Sequence, residues 1–132
     1  MSGIVLGVSG ILKRDGRILL ARRGRGPYSG CWSLPGGRVN PMEPHRDALV
    51  REFREETGLV VAVDRPAGVA ELVEPERFRH FVILCYFLAA EPGDPTPGDD
   101  ATALRWAGRE ELKRLPLTPQ LERYLEEFGA WD

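Results

Sequence analysis

Residues 81–90 (FVILCYFLAA) carry no charge, no proline and no glycine. The run is too short to cross a bilayer as a helix, which takes about 20 apolar residues, so it reads as a buried strand. A buried strand needs paired neighbours and covering layers, and the rest of the chain supplies signals for both. Near the N-terminus Ile4, Leu6, Val8 and Leu12 share one parity, followed by RDG and a second apolar run, RILLA. That pattern predicts a hairpin, with Asp15-Gly16 taking the positive φ angles of a tight turn. Further strands are expected at 60–63, 68–73 and 78–88, and a last one at ALRW (103–106).

The covering layers are expected to be helical. One helix is predicted over 44–57, with Pro44 in its first turn and Gly58 just past its end. A second is predicted near the C-terminus, capped by Thr118 with Pro119 at its first position. Its Leu121, Tyr124, Leu125 and Phe128 form an i, i+3, i+4, i+7 stripe. REELKRL reads as a short helical turn. Residues 22–37, with five glycines and two prolines, should be mostly loop with an extended piece around 32–34. EPGDPTPGDD (91–100) reads as a compact loop, too short for an interdomain linker. The expected class is α/β (α+β), a mixed sheet between helices, as one domain over residues 1–132.

Charge narrows the partners. A formal net charge of −2 gives no broad field to draw in nucleic acid or an anionic membrane, so neither is expected. The two cysteines, Cys31 and Cys85, lie far apart and outside any metal-type spacing, and MSGIVLGVSG has no basic stretch leading into an apolar one. A reduced, cytoplasmic protein is expected, with Cys85 in the core.

Within the first predicted helix, LVREFREETGL packs five charges into eleven positions. At about 100° per residue, Glu52, Glu55 and Glu56 share one sector, while Leu49, Val50 and Phe53 can face the core. Arg51 precedes Glu55 by four residues, the poorer orientation for helix support. Three clustered carboxylates repel one another unless a cation offsets them, and hard divalent ions take such oxygen ligands. Upstream, Gly36-Gly37 is expected to turn the chain sharply and present a carbonyl toward the helix start.

From Gly37 the chain reads G-x5-E-x7-R-E-F-x-E-E-x-G-L, with Glu43, Arg51, Glu52, Phe53, Glu55, Glu56, Gly58 and Leu59 in register. This pattern, residues 37–59, resembles the signature of the Nudix hydrolases, with Phe53 where an aliphatic residue is more usual. ARRGRGPYSGCWSLPGG and GDDATALRW resemble the ADP-ribose pyrophosphatase-like branch. The resemblance implies an α/β/α sandwich around a central mixed sheet, and hydrolysis of a nucleoside diphosphate derivative with Mg²⁺ or Mn²⁺. It also implies that Glu52, Glu56 and the Gly36 carbonyl are metal ligands, and that Glu55 is a further ligand or water-activating group. Arg51 is then the brace of the carboxylates, and Glu43 a tie between loop and helix. For a general base outside the box, Asp100 is the first expectation and Asp99 the alternative, although PGDD is also ordinary turn chemistry.

Arg22 and Arg23, before the glycine loop, are expected to contact phosphate. Tyr28 is expected to stack on a base or ribose; Trp32 is as readily a core residue. His45 and His80 have no metal spacing and are expected to be structural or exposed. The expected substrate is ADP-ribose or another nucleoside diphosphate sugar, supported by Pro75 sixteen positions past Leu59. The 132 residues carry no extra N-terminal domain of the kind many dimeric ADP-ribose enzymes use. A nucleoside triphosphate pyrophosphohydrolase, including one for oxidised dNTPs, is therefore the alternative. A non-catalytic Nudix-like binding module ranks below both, because every box residue is present. A homodimer, paired through the VILCYF strand or the N-terminal hairpin, is compatible with the sequence.

Overall fold

The computed structural model describes residues 3–132. Strands β1 (Val5–Arg14) and β2 (Arg17–Arg23) form the N-terminal hairpin, and Asp15 and Gly16 turn at φ 53° and 75°. The apolar run lies in β6 (Arg79–Ala90), which pairs parallel with β1 and antiparallel with β5 (Val61–Glu74). Short strands β3 (Trp32–Ser33) and β4 (Gly36–Arg38) add to β2 and β1, and β7 (Ala101–Ala107) adds to β2. The sheet is therefore mixed, with a main path β3-β2-β1-β6-β5.

Two helices cover it. Helix α1 (His45–Thr57) buries Ala48, Leu49 and Phe53 against Val8, Leu12, Tyr86 and Leu88. Full burial of a Leu or Phe side chain contributes about 1.5–3 kcal/mol, so this face anchors the helix. Gly58 ends α1 at φ 74°, its amide donating to the Arg54 carbonyl. On the other side α2 (Leu121–Glu127) packs Leu121 and Leu125 against Ile11, Leu20, Phe87 and Leu112. Adjacent β1 residues, Ile11 and Leu12, thus enter opposite cores, which makes the expected α/β/α sandwich.

Several local expectations change. The strands expected at 60–63 and 68–73 are one strand, β5, bent by register shifts between Val63 and Arg65 and between Pro66 and Gly68. Pro66 is tolerated because β5 is an edge strand and irregular there. Thr118 does not cap α2: Gln120 holds that place at φ 68°, and the Thr118 hydroxyl faces the Trp32 carbonyl. Ile4 and Leu6 share the parity of Val8 but are 62% and 41% exposed, because α1 covers only part of that face. Gly36-Gly37 is no turn. Both glycines are extended and pair with Ser9 and Val8. A Cβ on Gly36 would lie 2.0 Å from the Val8 carbonyl oxygen, and one on Gly37 would lie 2.4 Å from the Glu52 carboxyl. They are small because α1 and β1 approach closely, not because the chain reverses.

Candidate active site

Helix α1 directs its acidic sector toward the end of β4. Arg51 sits among the carboxylates. Its Nε and Nη2 donate to the two oxygens of Glu43 (2.9 and 3.0 Å), and its Nη1 donates to Glu52 (2.8 Å) and Glu55 (3.0 Å). A fifth bond, to the Arg38 carbonyl at 3.2 Å, ties the helix to the end of β4. The unfavourable order Arg51-then-Glu55 is thus explained. Arg51 works as a fork spanning loop and helix, and its planar geometry suits several acceptors. Glu43 is held below the usual carboxylate range, first by its bonds to Arg51.

Glu52 and Glu56 behave differently. Burial raises the Glu52 carboxyl, against the bonds from Arg51 that lower it. Burial pushes Glu56 up to about 8; the Gly36 amide lowers it, Glu52 raises it, and Arg23 lowers it. The Gly36 amide donates to Glu56 Oε1 at 3.2 Å, so this glycine meets the carboxylates through its N–H.

The loop before β7 completes the arrangement. The amides of Thr96 and Gly98 donate to the carbonyls of Thr57 and Glu56, at 2.8 and 3.0 Å. Those carbonyls belong to the last turn of α1, which lacks helical partners for them. A Cβ on Gly98 would sit 2.5 Å from the Glu55 carbonyl oxygen, so only glycine fits this docking. The chain then places Asp99, at φ 51°, beside the helix, and oxygens of Glu52, Glu55 and Asp99 lie within 4.8 Å of one another. Asp100 is turned away into an ion pair with Arg25. Of the two late-loop acids, Asp99 joins the carboxylates and Asp100 does not.

Glu52, Glu56 and Asp99 border a cleft of about 560 Å³. Arg22, Arg23 and Arg25 line it, while Leu72, Phe81 and Ile83 give it an apolar portion. Arg22 donates to the Thr102 hydroxyl at 3.0 Å, and Arg23 to the Pro27 carbonyl at 2.9 Å. Tyr28 lines the cleft, its hydroxyl bonded to Glu74. Trp32 is a core residue. His45 bonds and stacks on Tyr86, and His80 bonds Glu71, both outside the cleft lining. A second recess of about 210 Å³ shares Arg25, Asp99 and Asp100 with the cleft and adds Gly24 and Thr102. Arg25 and Glu74 escaped the sequence reading. Arg25 had a signal, a third arginine in the glycine loop, whereas nothing local marked Glu74.

One guanidinium offsets only part of the charge of Glu43, Glu52 and Glu55, and burial disfavours the charged form of Glu56 beside them. An all-oxygen donor set of this kind fits a hard divalent cation.

Known proteins resemble this chain in sequence and in fold. The family profile described as NUDIX domain matches residues 2–128. The chain is 48% identical over 117 residues to a putative 8-oxo-dGTP diphosphatase 2 of Mycobacterium tuberculosis, covering 85% of this chain and 79% of that one. It is 32% identical over 124 residues to an ADP-ribose pyrophosphatase of Methanocaldococcus jannaschii, covering 94% and 72%. The crystal structure of a MutT Nudix hydrolase from Burkholderia pseudomallei superposes with a TM-score of 0.87 at 34% identity, covering 96% of this chain and 98% of that one. With the family profile matching residues 2–128 and the fold superposing over 96% of its length, the chain belongs to the Nudix hydrolase family.

Proposed function

We propose that the protein hydrolyses a phosphoanhydride bond of a nucleoside phosphate, with Mg²⁺ or Mn²⁺ held by Glu52, Glu55, Glu56 and Asp99. The observation that carries this reading is the cluster of carboxylates bordering a cleft that also holds three arginines and an apolar portion. The bound cation would neutralise phosphate oxygens and lower the pKa of a coordinated water. The protein's own groups do the rest. Arg51 holds Glu52 and Glu55 in place. Arg22 and Arg23 contact phosphate, and Tyr28 offers a ring to the base. A carboxylate oxygen of Glu55 or Asp99 takes the proton of the attacking water. Asp100 would first have to leave Arg25 to do so.

Nucleoside triphosphates are the substrates this reading places first. The relative 48% identical carries the name of an enzyme for an oxidised nucleoside triphosphate. ADP-ribose is the second reading, favoured by the relative named for that substrate. Pro75 adds little to it, since it opens a single turn after β5 and does not line the cleft. Turnover of dGTP, oxidised dGTP, CTP, ADP-ribose and a UDP-sugar, with products separated, tests both. Faster release of nucleoside monophosphate from a triphosphate is expected. Preference for ADP-ribose reverses the order, and no turnover across the panel refutes the function.

A further inference from the structure

One contact between elements distant in sequence crosses the cleft wall, and its acidic partner lies outside the cleft. The loop over 24–31 leaves the arginine-bearing end of β2 and carries Tyr28 to the end of β5, where its hydroxyl donates to Glu74, 46 positions away. Tyr28 holds φ 61°, an outlier for a bulky side chain. The surrounding bonds over-determine that conformation. Arg23 clasps the Pro27 carbonyl (2.9 Å), the Gly30 amide reaches the Arg23 carbonyl (2.7 Å), and the Cys31 amide reaches the Tyr28 carbonyl (3.0 Å).

Glu74 is itself fixed. Its side chain is 18% exposed, with Arg79 at 3.4 Å and Arg77 at 3.8 Å. The Arg79 guanidinium carbon also lies 5.8 Å from the centre of the Tyr28 ring. Tyr28 lines the cleft together with Leu72 and Phe81, whereas Glu74, Arg77 and Arg79 do not. An acid and two arginines outside the cleft thus hold one strained aromatic residue at its wall. Strain of this kind concentrates at ligand clamps, and a fixed aromatic face suits the flat surface of a base.

We propose that Glu74 is a positioning residue for substrate. By taking the Tyr28 hydroxyl it locks the 24–31 loop to β5 and sets the Tyr28 ring as the wall of a nucleobase subsite. This rests on the reading that a nucleotide fills the cleft. Glu74 touches no substrate; it acts through Tyr28, and both side chains lie outside the carboxylate cluster.

The test is a double-mutant cycle on the full chain, read as KM and kcat for the best nucleotide of the panel, with melting temperatures alongside. Tyr28→Phe and Glu74→Ala are each expected to raise KM about tenfold, the scale of one hydrogen bond to a charged acceptor, with kcat nearly unchanged. The double variant should be no worse than either single one, because both remove the same bond. Glu74→Gln keeps an acceptor oxygen and should return KM most of the way to the wild-type value. Unchanged KM in both single variants, independent effects that multiply, or losses confined to kcat or melting temperature overturn the proposal while wild-type turnover stands. A wild-type protein that neither binds nor hydrolyses any nucleotide overturns the functional reading and this one together.

Discussion

Replacing Glu56 with glutamine should stabilise the metal-free protein at alkaline pH while abolishing Mg²⁺-dependent hydrolysis. Burial raises the Glu56 carboxyl from an unfolded value near 4.5 to about 8 in the folded protein. Between those two values the native state holds more protons than the unfolded chain. The stability tied to the protonated carboxyl is therefore complete below pH 4.5 and drains as pH rises through about 8. Each pH unit inside that window costs about 1.4 kcal/mol, and the full window has an upper bound of about 5 kcal/mol. Glutamine keeps the shape and the bond from the Gly36 amide without titrating. The stability gap between Glu56→Gln and wild type should then widen by roughly 3 kcal/mol from pH 6 to pH 9. Urea unfolding in EDTA at four pH values measures it. Mg²⁺ at pH 8 should raise the stability of the wild type and leave the variant nearly unmoved, since an ion stabilises only the state that binds it. A gap that stays flat from pH 6 to 9, or a wild type as stable as the variant at pH 9, refutes the idea of an uncompensated buried carboxylate.

Two further outcomes test the cluster. Asp99→Asn should raise the Mg²⁺ concentration needed for half-maximal rate about tenfold or more, because it removes one of three converging carboxylates. Asp100→Asn should do much less, and the opposite order in metal titrations returns the role to Asp100. The paired glycines should separate fold from site: Gly36→Ala forces a Cβ onto the Val8 carbonyl and should unfold readily by thermal melt. Gly37→Ala meets only the tip of the Glu52 side chain and should melt near wild type while Mg²⁺ activation weakens.

What the sequence settled was short-range. Helix α1, its apolar face, its glycine stop and the shared sector of Glu52, Glu55 and Glu56 follow from a 3.6-residue period and local sterics. The turn at Asp15-Gly16 and strand β6, buried over Cys85–Leu88 rather than along its whole apolar run, follow from the same kind of rule, acting within a few residues. Tertiary structure decided whatever depends on groups far apart in the chain. Asp99 rather than Asp100 joins the carboxylates because the loop at 96–98 satisfies the bare carbonyls at the end of α1. Gly36 and Gly37 are glycines because a strand and a helix close on them, a crowding no local pattern announces. Glu56 differs from Glu55, its neighbour in the same box, because packing buries one carboxyl and leaves the other half open to water. Tyr28 finds Glu74 only once β5 runs unbroken through Pro66 to reach it. Period and turn chemistry are carried by adjacent residues, whereas desolvation and loop docking exist only after distant segments have met.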